Sequence, residues 1–296
     1  MNLKEKIRKL KEKRNAIILA HVYQRGEVQD IADYVGDSLD LSKKAVNVKN
    51  DVIVFCGVRF MAETASILNP DKIILLPDKY AGCSLADMAA VEDLKAKKKK
   101  YPNAIVVSYI NSSATIKAES DVCCTSANAV KVVEKIPKEK VLFTPDKNLG
   151  AYVNSKVDKE VILWNGYCYV HENITKENIS GLKKLHPDAK VIVHPECNMR
   201  VINLADYVGS TSQMTDYVKK SDAVEFIVGT ENGLVHKLKK ENPEKVFYPT
   251  GAICKDMEKI NLEKIFHCLE NMQYQIKVPE KIRYKAKKAL ERMLES

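Results

Sequence analysis

The chain repeats itself three times, and that repetition restricts its fold more than any other feature. Three apolar, strand-like runs end in ring or amide side chains: Ala16 to Tyr23 with His21, Ala104 to Asn111 with Tyr109, and Lys190 to Glu196 with His194. A hydroxyl-bearing motif follows each: Gly36-Asp37-Ser38, Cys124-Thr125-Ser126 and Gly209-Ser210-Thr211. Read as helix N-caps beside free amides, these motifs suit the gripping of an anion. A second strand is expected near Val52–Phe55, Val141–Phe143 and Ala223–Phe226. A third runs into Cys83, Cys168 or Cys254, with a glycine one to three residues before each cysteine.

The intervals agree. Successive cysteines are 85 and 86 residues apart, while Ser38, Ser126 and Thr211 are separated by 88 and 85, as are His21, Tyr109 and His194. Apolar strands alternating with helices predict parallel sheets covered on both faces. The fold class is therefore α/β, with three similar three-layer α/β/α domains and parallel sheets. The expected boundaries are 1–88 together with a C-terminal helix at 279–296, then 89–173, then 174–278. In such sheets the ligand-binding groups gather beyond the carboxyl ends of the strands, where every motif above lies, so three facing domains would bring them to one central site.

Length agrees with several units, because 296 residues exceed what one core usually serves. The longest apolar runs are strand-length, so no membrane partner is expected, and the N-terminal residues lack the apolar stretch of a secretory signal, which predicts a cytoplasmic protein. The net charge of +9 raises the question of nucleic acid. The lysines are scattered over helical stretches, and the dense run Lys97–Lys100 has no interleaved aromatics, so it reads as a solvated face and no nucleic-acid partner is expected.

Eight cysteines in such a chain argue against a disulfide framework, since cytosolic thiols stay reduced. Singly, a cysteine is most often a small core residue. Cys83, Cys168 and Cys254 differ because each ends the same strand of its repeat. Three thiolates from equivalent loops can hold three irons of a cubane cluster and leave the fourth open to outside ligands. An open iron can act as a Lewis acid and help water leave. A three-cysteine zinc site remains an alternative, although no close cysteine pair of zinc type occurs. Cys56, Cys123, Cys124, Cys197 and Cys268 read as packing residues.

His194 and Glu196, two residues apart, make a plausible pair for proton transfer, and the phenols of Tyr23 and Tyr109, near His21 and Asn111, can donate to carboxylates or shuttle protons. Each has a structural alternative in strand-end packing, just as Ser38, Ser126, Ser210 and Thr211 could be caps without a ligand. The C-terminal segment from Leu262 is helical in pattern and is expected to pack on the N-terminal helix or the first domain.

Several stretches together, His21-Val22-Tyr23, Gly36-Asp37-Ser38, Lys117 to Asp121, Cys123 to Asn128, Trp164 to Cys168, His194 to Cys197 and Gly209 to Met214, closely resemble quinolinate synthase, the iron–sulfur enzyme family of de novo NAD biosynthesis. The resemblance covers nearly the whole chain. It implies three α/β domains in a pseudo-threefold arrangement around a central active site, with one 4Fe-4S cluster bound by Cys83, Cys168 and Cys254 and one open iron. It implies condensation of iminoaspartate (iminosuccinate) with dihydroxyacetone phosphate to quinolinate, phosphate and two waters, with an aspartate oxidase or dehydrogenase as the functional partner. By motif it places His21, Ser38, Tyr109, Ile110, Asn111, Ser126, His194, Pro195, Glu196, Ser210 and Thr211 at the substrate, with Tyr23, Tyr109 and Glu196 in proton transfer. Members with an extra cysteine pair near the last ligand can form a redox disulfide; this chain has only Cys254 there, so no such regulation is expected. Two rivals stay open on the residues alone: a metal-free sugar-phosphate isomerase or aldolase built on Glu196 and the anion caps, and a non-enzyme, either an iron–sulfur sensor or a small-anion-binding protein.

Overall fold

A computed structural model describes residues 2–295; positions 1 and 296, the outermost residues of the expected boundaries, lie outside the described residues. Twelve strands form three parallel sheets of four. The first holds β1 (Ala16–His21), β2 (Tyr34–Gly36), β3 (Val52–Cys56) and β4 (Ile73–Leu75). The second holds β5 (Ile105–Tyr109), β6 (Val122–Cys124), β7 (Lys140–Thr144) and β8 (Glu160–Leu163). The third holds β9 (Lys190–Val193), β10 (Tyr207–Val208), β11 (Glu225–Gly229) and β12 (Val246–Pro249). Every sheet runs in the order second, first, third, fourth strand. The α/β class with three helix-flanked parallel sheets is thus as the repeat predicts, although each sheet has a fourth strand. The added member is the short edge strand of two or three residues just before each hydroxyl motif.

The central strands are buried on both faces, and β3 is wholly so, which is why its sequence Val-Ile-Val-Phe-Cys shows no polar alternation. In each sheet the chain leaves the first strand toward one edge and returns to the other side. The topological switch therefore falls at the carboxyl ends of β1, β5 and β9, where His21, Tyr109 and the residue before His194 stand.

The caps depart from expectation. Asp37, not Ser38, caps the Ser38–Asn47 helix by accepting the amides of Leu39 and Asp40. Ser210 caps the Thr211–Lys220 helix through Gln213 in a capping box. Ser126 caps nothing: a turn follows it, and the next helix starts at Ala129 behind Asn128.

The C-terminal elements divide. The Leu262–Asn271 helix falls inside the boundary drawn for the third repeat but lies, as expected for the segment from Leu262, on the N-terminal Leu3–Lys13 helix and on β3 of the first unit. Its buried face of Ile265, Cys268 and Leu269 joins the core that holds Ile7 and Cys56, and Arg14 donates to the carbonyls of Leu269 and Glu270. The Glu280–Leu294 helix, placed with the first repeat, lies mainly on the second, against the Ala114–Ala118 helix and β6, and also touches the Arg59–Leu68 helix of the first. Its buried Ala286, Ala289, Leu290 and Met293 extend one continuous core across both sheets. Burial of a Leu or Met side chain contributes about 1.5–3 kcal/mol, enough to fix such a helix over two units.

Candidate active site

The three switch points face a common cavity with about 730 Å³ of atom-free space, part of it open to solvent. His21, Tyr109 and His194 line it, with the residues two further on in each repeat, Tyr23, Asn111 and Glu196. The two histidines are held alike. The amide of Tyr23 donates to His21 Nδ1 (3.1 Å) and the amide of Glu196 to His194 Nδ1 (3.3 Å). Each imidazole therefore keeps its proton on Nε2, and His194 Nε2 lies 3.1 Å from Ser126 Oγ. Burial lowers both pKa values to about 3 against the pull of Glu196, so both rings are neutral donors.

Cys83, Cys168 and Cys254 line the same cavity. One backbone hydrogen bond recurs in all three repeats: Arg59 N–H to Ala81 O (2.8 Å), Lys147 to Gly166 (2.7 Å) and Asn232 to Ala252 (2.9 Å). Each acceptor lies two residues before its cysteine, so the same tether delivers each thiol. Short helices start directly after Cys83 and Cys168. Burial raises the Cys83 thiol to about 12, and it raises Cys168 and Cys254 as well. Amides oppose this at each sulfur: Ala86 and Leu85 at Cys83, His171 at Cys168, Met257 and Asp256 at Cys254. Cys83 is near enough to both other cysteines for their charges to interact. Three soft donors on separate loops, each with amides turned to the sulfur, fit a cluster held at three corners. All eight cysteines are free, and the five read as packing residues are fully buried.

Glu196 is the polar hub. It accepts from His171 Nδ1 (2.6 Å) and Asn111 Nδ2 (3.5 Å), with His194 Nδ1 at 3.6 Å. Burial would raise its carboxyl, but His171 beside it and the Tyr109 hydroxyl outweigh burial and hold it below the usual carboxylate range. A carboxylate there makes His171 Nδ1 the donor. Its Nε2 lies 2.9 Å from Thr230 Oγ1, which itself lies 2.6 Å from Tyr23 Oη. A hydrogen-bonded chain thus links Tyr23 through Thr230 and His171 to Glu196. Burial keeps both Tyr23 and Tyr109 as protonated phenols. Cys168 Sγ, His171 and Glu196 place one ligand atom each within 4.8 Å of one another, an arrangement that could also take a single ion.

Ser38, Ser126 and Thr211 line the cavity too, so the first turns of the Ser38–Asn47 and Thr211–Lys220 helices border it. Asp37 ties these helices together, accepting from Ser210 Oγ (3.0 Å), while Ser212 donates to Asp40 (2.5 Å). The Asn111 Oδ1 and Thr211 Oγ1 atoms are buried without a hydrogen-bond partner among the described residues. Such atoms are costly unless something binds to them. Ile110, Pro195 and Ser210 are buried beside the site and do not line the cavity. Sequence reasoning missed His171, Asp37 and Thr230. His171 had a signal: it follows Cys168 by three residues, one helical turn further on.

Tyr23 approaches the third unit so closely that only glycine fits opposite it. A Cβ on Gly233 would lie 2.8 Å from the Val22 carbonyl oxygen and from the Tyr23 carbonyl carbon. Gly233→Ala is expected to push the Tyr23 loop off Thr230 and lower kcat/KM by about tenfold or more. Steady-state kinetics beside a thermal melt check this, with Gly233→Ala losing activity well below its own melting temperature.

The family described as "Quinolinate synthetase A protein" matches residues 5–295. Quinolinate synthase 2 of Methanosarcina acetivorans is 55% identical over 292 residues, 98% of this chain and 94% of that protein. Quinolinate synthase of Methanosarcina barkeri is 56% identical, covering 98% of this chain and 96% of that protein. The enzyme of the same name from Thermodesulfovibrio yellowstonii is likewise 56% identical, over 98% of this chain and 97% of its own length.

Proposed function

This chain belongs to the quinolinate synthase family, an enzyme family of NAD biosynthesis, and from that membership we propose that it condenses iminoaspartate with dihydroxyacetone phosphate to quinolinate, phosphate and two waters. The observation that carries the reading is the meeting of Cys83, Cys168 and Cys254 with Glu196 and two orphaned polar atoms in one cavity. Cys83, Cys168 and Cys254 would hold a 4Fe-4S cluster, which when bound supplies an open iron able to polarise a substrate oxygen.

The remaining chemistry falls to the chain itself. Among the described residues no Lys or Arg lines the cavity, so the phosphate would be held by neutral donors: Ser38 and Thr211 with the first-turn amides of their helices, Ser126, and the Nε2–H groups of His21 and His194. Asn111 Oδ1 suits an imine or hydroxyl donor of the substrate. Glu196 as carboxylate can take a proton from a substrate carbon or nitrogen, and the Tyr23 and Tyr109 phenols can give one to a departing oxygen. Among the described residues no helix is long and apolar enough to cross a membrane. A cytoplasmic setting, where thiols stay reduced, and an aspartate-oxidising partner that supplies the imine complete the proposal.

The test is an oxygen-free assay with iminoaspartate generated in place from oxaloacetate and ammonia. Quinolinate should appear with one phosphate per molecule and only when both substrates are present; phosphate release without quinolinate would favour a phosphate-eliminating lyase, and interconversion of the triose phosphate without phosphate release an isomerase.

A further inference from the structure

Lys117 is fully buried, alone among the lysines and arginines of the described residues, and nothing in the chemistry above uses it. An ammonium out of water costs several kcal/mol unless its protons and charge are matched. Its matches are specific. Nζ donates to the carbonyl of Ser112, the residue after Asn111. It also lies 5.4 Å from the Phe60 ring, a wall of the cavity. Glu63, on the same helix as Phe60, lends opposite charge and accepts the amide of Ala114 through Oε2 (3.0 Å).

The segment so gripped presents Tyr109 and Asn111. Ser112 closes it from within: its amide donates to Ile110 O (2.8 Å), its hydroxyl to Tyr109 O (2.9 Å), and Ser108 Oγ lies 3.3 Å away. With those bonds made, the Ser112 carbonyl still needs a donor, and among the described residues Lys117 supplies it. We propose that Lys117 is a positioning residue that fixes the Tyr109–Asn111 turn against the first unit and so sets where Tyr109 and Asn111 meet the substrate. The proposal rests on the reading of that turn as part of the substrate site. An apolar residue at 117 would fill the same space but leave the Ser112 carbonyl without its donor, at a cost of about 1–3 kcal/mol, so melting temperature is read beside the kinetics to separate the turn from folding.

The test is a double-mutant cycle of Lys117→Met with Asn111→Ala, read as kcat and KM for both substrates, with iron content and melting temperature measured for each protein. Lys117→Met is expected to keep its iron and fold while losing about 10- to 100-fold in kcat/KM, and to lose far less on the Asn111→Ala background, because the turn it positions is already disabled. Lys117→Gln, which keeps a donor for Ser112, should recover part of the loss. Wild-type kinetics for Lys117→Met, or a loss that adds in full to that of Asn111→Ala, overturns the proposal. Failure of both Lys117 variants to fold overturns it too, since Lys117 would then serve stability. An inactive wild-type protein would instead sink the substrate-site reading on which it depends.

Discussion

Cys83→Ala, Cys168→Ala and Cys254→Ala, purified without oxygen, are each expected to lose the cluster and at least about a thousandfold in quinolinate formation while remaining folded. The three loops are tethered by the same backbone hydrogen bond upstream of the cysteine, so removing a sulfur leaves the loop itself in place. Loss of iron therefore reports on ligation and not on collapse. Cys197→Ala and Cys268→Ala supply the contrast. Both cysteines are buried and neither lines the cavity, so each substitution should cost stability but leave iron content as in the wild type. Iron and sulfide analysis with circular dichroism separates the two classes.

Glu196→Gln is expected to lower kcat by about 10²–10⁴-fold with iron content retained. The substitution keeps the shape but removes the charge that His171 Nδ1 and the Tyr109 hydroxyl address. An amide nitrogen turned toward His171 would remove the acceptor on which the chain from Tyr23 ends. Tyr23→Phe cuts that chain at its other end and should cost less than Glu196→Gln, because Thr230 and His171 stay engaged. If Glu196→Gln kept the wild-type kcat with a raised KM, Glu196 would be a binding group only. Single-turnover kinetics with saturating substrates would show which holds.

Much of this site was legible before any coordinates because repeats compare a chain with itself. Three cysteines at intervals of 85 and 86 residues, each behind the same strand, point to a shared role that no single cysteine could. The strand-end residues were legible for the same reason, and His21 and His194 even repeat the amide contact from two residues on. The edge strands β2, β6 and β10 were not, since two or three residues carry no periodicity. The cap at Ser38 was misread because Asp37, one residue earlier, offers a better acceptor for the same amides. The N-terminal helix was expected as a partner of the segment from Leu262, and the Leu262–Asn271 helix meets it; the second-unit partners of the Glu280–Leu294 helix were hidden, because an amphipathic pattern states that one face is buried but not against what. Lys117 was hidden most deeply, since a lysine on a helical pattern reads as a solvated residue until its neighbours are known.

Mössbauer spectroscopy of iron-57-enriched wild-type protein, purified without oxygen and measured with and without quinolinate, tests the central claim most directly. The account predicts about four irons per chain in one cluster, with the signal of a single iron shifted when quinolinate is added. A protein that takes up no iron on reconstitution, or a cluster in which no iron responds to quinolinate, would contradict it.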